Sequence, residues 1–251
     1  MESPTFSGKN VLVTGAGSGI GRQISLDLAS LGAFIYLLDI NKDGLCETAK
    51  LCKSEKIKII HADLCEFGAL EDILIAALEG ERLDGLVHCA GVSQLSPLKS
   101  LDMDRALNTY LINSHAAIFL SKFCSSYRVI SKLGASFVFI SSIYGQVGSA
   151  ANSAYAMSKS AITGLVKSLA IELAPKKIRV NSIVPGFIET SMLNKLSENF
   201  DAEYVDRLRA LHPLGLGGVS DVSNAIVFLL SQKSRWITGS ELVVDGGYTA
   251  Q

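Results

Sequence analysis

Short runs of β-branched and aliphatic residues alternate with longer amphipathic runs along almost the whole chain, beginning at Asn10. Where a helix follows each strand, it carries the chain back across a face of the sheet, so successive strands pair in parallel. The pattern predicts strands at 10–14, 33–39, 57–61, 85–89, 136–140, 179–184 and 241–244. Helices are expected at 20–31, 42–54, 67–78, 102–126, 154–174 and 221–230, each repeating apolar residues at three- and four-residue spacing. The fold class expected is α/β: a doubly wound parallel sheet of seven strands, covered by helices on both faces.

A chain of 251 residues fits one large domain or two small ones. No Pro- or Ser-rich linker and no internal repeat divides it, so a single domain over residues 1–251 is expected. One segment breaks the alternation: 189–219 is polar, mixed in charge and ends in a glycine-rich run, the pattern of a mobile substrate lid. The 23 basic and 24 acidic residues form no block of one sign, which argues against nucleic acid or an anionic membrane as partner. The longer apolar stretches, 73–78 and 116–120, fall far short of the roughly 18 residues of a membrane span. With no secretory signal visible at the start, a cytoplasmic location is expected. The five cysteines form no C-x-x-C pair and no cluster with histidine, so they read as reduced thiols, and no metal site is expected.

The run Thr14-Gly15-Ala16-Gly17-Ser18-Gly19-Ile20-Gly21 joins the first strand to the first helix. Glycines at 15, 19 and 21 stand where a Cβ would block a tight turn, and the helix start offers free N–H groups to a pyrophosphate. This is the sequence mark of a dinucleotide-binding (Rossmann) fold, although its spacing is G-x-x-x-G-x-G. Asp39 closes the second strand 18 positions after Gly21, where a carboxylate can accept hydrogen bonds from both adenine-ribose hydroxyls and repel a 2′-phosphate. NAD is therefore the expected cofactor. NADP is less favoured, though Arg22 is a group that can meet its 2′-phosphate. Asp63 and Leu64 end the third strand, and Cys89, Ala90 and Gly91 end the fourth, at the sheet edge where ligands bind.

Tyr155 and Lys159 stand i, i+4 on one helix face, and Ser142 lies just past the fifth strand. A phenol with a pKa near 10 is a poor base at neutral pH, but an adjacent ammonium and a positive nicotinamide both favour phenolate. Tyr155 can then take the hydroxyl proton of an alcohol or return it to a carbonyl, while Ser142 binds the same oxygen. Tyr155 and Lys159 are counted with the cofactor site as well. Asn113, a polar residue inside an apolar helix, can hold a water that relays protons through Lys159; a satisfied buried amide is the competing account.

With Thr14, Gly15, Gly19 and Gly21, Ser142, and Tyr155 and Lys159 in this order, and 13 positions between serine and tyrosine, the chain resembles the short-chain dehydrogenase/reductase family from Lys9 to Tyr248. The family's helix asparagine falls on Asn113. The resemblance implies that Asn181, Pro185, Gly186, Ile188 and Thr190 lie beside the nicotinamide, with Ile188 and Thr190 at its carboxamide. It also implies that the last strand packs in a homotetramer, a homodimer being the alternative. One departure stands out: Cys89-Ala90-Gly91, preceded by His88, replaces the family's usual Asn-Ala-Gly. The function implied is hydride transfer between a secondary alcohol or its ketone and the cofactor, on a small-molecule substrate. A 3-oxoacyl-thioester reductase acting on an acyl carrier protein, and a non-catalytic dinucleotide-binding subunit, are the alternatives. Pocket walls are expected from 93–96, 143–148 and 189–212, including Val147, Met192 and Leu193, and Trp236 is expected in the core or at an oligomer contact.

Overall fold

The computed structural model describes residues 5–190 and 208–251. Its strands are β1 (Asn10–Thr14), β2 (Phe34–Asp39), β3 (Ile57–His61), β4 (Gly85–His88), β5 (Ala135–Ile140), β6 (Ile178–Pro185) and β7 (Glu241–Val244). All seven join one parallel sheet in the order β3-β2-β1-β4-β5-β6-β7. The helices are α1 (Gly19–Ser30), α2 (Lys42–Cys52), α3 (Phe67–Leu78), α4 (Met103–Tyr110), α5 (Ala116–Cys124), α6 (Ser153–Glu172) and α7 (Val219–Leu230).

Side chains of successive strand residues point to opposite faces, so each strand feeds two cores. Along β2, Tyr36 and Leu38 enter the core shared with α3, α5 and α6, where Leu74, Leu120 and Val166 meet Phe137 and Phe139. Ile35 and Leu37 enter the other, formed with α1, α2 and α7 through Ile24, Leu28, Leu45 and Ile226. Burial on both faces explains why the strands read as nearly unbroken apolar runs.

β1 lies between β2 and β4, and the chain leaves it in opposite directions on its two sides. Connections diverging there open a crevice at the strands' carboxyl ends, the usual ligand position in a sheet of this kind. Thr14 and His88 are paired across β1 and β4 at those carboxyl ends.

Two expectations need correction. The helix expected at 102–126 is split by a π-helical turn at Leu111–His115. Asn113 and Ser114 both face inward in that turn, and Ser114 Oγ donates to Ser158 O at 2.6 Å. These partners on α6 are distant in sequence and leave no periodic trace. Trp236 is 92 % exposed, which removes it from the core. Among the described residues no helix is long and apolar enough to cross a membrane.

Candidate active site

The turn from β1 to α1 is built on close backbone approach. Gly15 has φ +67°, and a Cβ there would lie 2.7 Å from Ala90 N; a Cβ at Gly21 would lie 2.1 Å from Gly15 O. Only glycine fits either position. Thr14 Oγ1 accepts from Ala90 N at 3.2 Å and pairs with His88 Nδ1 at 2.8 Å, binding the ends of β1 and β4 together.

Asp39 serves the same turn. Its Oδ2 accepts from Gly17 N at 2.9 Å and its Oδ1 from Asn41 N at 2.8 Å, while the carboxylate still borders the crevice. Arg22 is spent elsewhere. Its guanidinium donates to Gly17 O at 2.6 Å, to Thr48 Oγ1 at 3.1 Å and to Glu47 Oε2 at 2.6 Å, and Thr48 Oγ1 in turn donates to Ala16 O at 2.8 Å. The residue read as a possible phosphate ligand is thus a clamp on the glycine turn.

At the other end, Ser142 follows β5 and accepts from Tyr144 N at 3.2 Å, and α6 carries Tyr155 and Lys159. Lys159 Nζ lies 5.8 Å from the centroid of the Tyr155 ring and donates to Ile140 O at 2.7 Å. Burial pushes the Lys159 ammonium down to about 8. Burial likewise pushes the Tyr155 phenol up, opposed by the Ser142 hydroxyl beside it. Desolvation therefore outweighs the lowering by the Ser142 hydroxyl.

Asn113 is fully buried, and its amide is fully used: Oδ1 accepts from Val92 N at 2.8 Å, and Nδ2 donates to Val92 O at 2.9 Å and to Ser158 Oγ at 3.0 Å. It holds the strand that leaves β4 against α6, and it does not line the cavity. Cys89, standing for the family's asparagine, does line it; burial pushes its thiol up to about 12, with the Lys159 charge pulling the other way. His88 beneath it is buried, and burial with the Lys159 charge holds it down to about 3, so the imidazole is neutral. Its Nε2 has no hydrogen-bond partner among the described residues.

A single cavity of about 510 Å³ runs between these two ends. It is lined by Gly15, Ser18, Gly19, Ile20, Gly21, Asp39, Asp63, Leu64, Cys89, Ala90 and Gly91, and by Ser142, Tyr155, Lys159, Pro185, Gly186, Ile188 and Thr190. Ser93 and Leu95 line it as expected, whereas Val147 does not; Met192 and Leu193 lie outside the described residues. Asn108, Ile112, Asn152 and Phe187 were not foreseen. Phe187 was within reach, since it sits inside the run Pro185–Ile188. Asn108 and Ile112 share an i, i+4 face, a signal indistinguishable from a core stripe. Among the described residues no three His, Cys, Asp or Glu side chains group where they could hold a metal ion.

A family model described as enoyl-(acyl carrier protein) reductase matches residues 15–249. A (3R)-3-hydroxyacyl-CoA dehydrogenase of Canis lupus familiaris is 35% identical over 248 residues, covering 94% of each chain. The chain belongs to the short-chain dehydrogenase/reductase family. A cyclopentanol dehydrogenase of Comamonas sp. is 37% identical over 255 residues, 96% of this chain and 97% of the relative. The crystal structure of carveol dehydrogenase from Mycobacterium avium in complex with NAD matches with a TM-score of 0.89 and 27% identity, over 99% of this chain and 100% of that one. This short-chain dehydrogenase/reductase is an oxidoreductase acting on CH–OH groups of small molecules, with a nicotinamide dinucleotide as cofactor.

Proposed function

We propose that the protein interconverts a secondary alcohol and its ketone with NAD(H), and that Tyr155 exchanges the proton. The observation that carries this reading is the convergence of Ser142, Tyr155 and Lys159 on the cavity that Asp39 borders at its far end. The Gly15–Gly21 turn would hold the pyrophosphate, Asp39 the adenine ribose, and Pro185, Gly186, Ile188 and Thr190 the nicotinamide end. When bound, the dinucleotide supplies the hydride acceptor or donor.

In oxidation, Tyr155 as phenolate takes the hydroxyl proton while the carbinol carbon gives up its hydride and the C–O bond becomes a carbonyl. In reduction the phenol returns that proton to the oxygen. Ser142 Oγ hydrogen-bonds the same oxygen and orients it. Lys159 supplies positive charge beneath the phenol and favours its ionised form. Asn113 positions the Val92 backbone and α6 through the hydrogen bonds already described.

NAD is preferred to NADP. Asp39 would meet a 2′-phosphate with like charge, and Arg22, paired with Glu47, is unavailable to offset it. The unit is one domain over 1–251, with a substrate lid near 189–219, of which 191–207 lie outside the described residues; Glu189 N donates to Gly217 O at 2.9 Å. It assembles as a homotetramer or homodimer and works in the cytoplasm, a reading supported by the five free thiols. A 3-oxoacyl thioester is the second substrate reading, favoured by the 35% identity to a hydroxyacyl-CoA dehydrogenase.

The test is a panel of secondary alcohols, ketones and 3-hydroxyacyl-CoA thioesters, read by nicotinamide absorbance with NAD(H) and NADP(H). Turnover with a secondary alcohol and NAD is expected. Absence of turnover across the panel with either cofactor would overturn the reading.

A further inference from the structure

Beyond Ser142 and Tyr155 the cavity wall carries Val92, Leu95, Ile143, Tyr144 and Phe187, with Ser93, Asn108 and Asn152 as uncharged polar groups among them. The charged side chains among its described lining are Asp39, Asp63 and Lys159, which belong to the adenine end and to the floor under Tyr155. Among the described residues this wall offers a carboxylate or phosphate next to the reacting carbon no cation of its own, since Lys159 lies under Tyr155. Hydrocarbon fits its Phe187 side.

Phe187 is held by a chain of rings. It meets Tyr144 edge-on at 5.7 Å between centroids and 88°, and His212 at 5.5 Å and 89°. His212 packs on Tyr248 at 4.9 Å and 44°, and Tyr248 also meets Phe187 itself at 6.3 Å and 47°. His212 is buried and both ring nitrogens are used: Nε2 accepts from Phe187 N at 3.3 Å, so Nδ1 carries the hydrogen and donates to Leu208 O at 2.7 Å. Tyr248 is fixed in turn by a C-terminal loop wound around Asp245. Its carboxylate accepts from Gly247 N at 2.9 Å, Thr249 N at 2.8 Å and Thr249 Oγ1 at 2.7 Å. Contacts between rings at these separations and angles are directional, so moving one ring moves the next.

We propose that Phe187 is the surface on which the hydrocarbon part of an uncharged secondary alcohol or ketone lies, and that Tyr248 is a positioning residue that sets this surface both directly and through His212. The proposal rests on the alcohol–ketone reading above and assigns its substrate class. Tyr248 is not among the residues that line the cavity and touches it through Phe187, so the effect belongs to substrate choice.

The test compares Tyr248→Ala and Tyr248→Phe with the unaltered protein, using NADH with cyclohexanone or acetone. The expected result is a fall of about tenfold or more in the cyclohexanone-to-acetone ratio of kcat/KM for Tyr248→Ala, carried by KM for cyclohexanone. Tyr248→Phe keeps the ring and keeps the ratio, and the Kd for NADH stays within about twofold in both variants. An unchanged ratio in Tyr248→Ala overturns the proposal, as does a rise in the Kd for NADH that accounts for the whole loss. If the unaltered protein reduces neither ketone the proposal falls, while the alcohol–ketone reading falls only if the whole panel of alcohols, ketones and thioesters is inert.

Discussion

A buried phenol holds its proton more firmly than one in water, and burial pushes Tyr155 in that direction. The chemistry assigned to it thus has opposite pH signs in the two directions. Reduction takes its proton from the phenol, so its rate is full at low pH and falls as pH rises. Oxidation needs phenolate, so its rate climbs with pH until Lys159, whose burial places it at about 8, loses the charge that supports that form. Initial rates from acid to alkaline pH in both directions check this; slopes of the same sign would rule out Tyr155 as the exchanging group. Tyr155→Phe removes only the hydroxyl, and kcat is expected to drop by about 10²–10⁴-fold with the Kd for NADH unchanged. Retention of full turnover would end the assignment. Tyr155 and Lys159 were legible in the sequence because both lie on one helix, where four-residue spacing is geometry. The bond from Lys159 Nζ to Ile140 O was not, since its acceptor belongs to a strand 19 positions away whose register only the folded sheet defines.

At the scale of elements, the unit from β1 to α2 carries cofactor choice. Strands and helices were legible from their periods, and so was their place in one sheet, because apolar runs of this length leave few other ways to be buried. Their ends were less so: β4 stops at His88, one residue short of expectation, as the chain turns to bring Ala90 under Gly15. The roles of Arg22 and Asp39 within the turn also emerged only from the fold, since Thr48, Glu47 and Gly17 are brought together by α2 docking on α1. These roles predict different outcomes on mutation. Asp39→Ala removes the like charge that opposes a 2′-phosphate, and the NADPH-to-NADH ratio of kcat/KM is expected to rise about tenfold or more. Arg22→Leu loosens the turn and is expected to weaken both cofactors alike, leaving the ratio within about twofold. Initial rates with each cofactor distinguish the two; a gain in NADPH preference from Arg22→Leu, or none from Asp39→Ala, contradicts the assignment.

At the scale of the whole molecule, the sheet ends on two edge strands, β3 and β7, and the β7 edge carries apolar side chains outward. β7 pairs with β6 alone, and its Leu242 and Val243 are exposed. Ile171 at the end of α6 and Trp236 just before β7 are exposed as well, and the packing of Gly239 against Ala170 brings those two segments together. An unpaired strand with apolar neighbours is a pairing hazard unless something covers it. The last strand was legible as a strand, but the outward direction of Trp236 was not, because a lone aromatic beside an apolar run reads equally as core. A second copy of the chain related by a two-fold axis would place the same edge on both sides of the contact, so that each subunit buries what the other exposes. Sedimentation is expected to give a tetramer or dimer, and Leu242→Asp together with Trp236→Asp to reduce the mass to a half or a quarter of that value. The same pair is expected to lower the thermal midpoint and make it depend on protein concentration, because subunits that lose their partner lose the stability that binding adds. An unaltered protein that sediments as a monomer, or a double variant with unchanged mass, would show that this edge is not the interface.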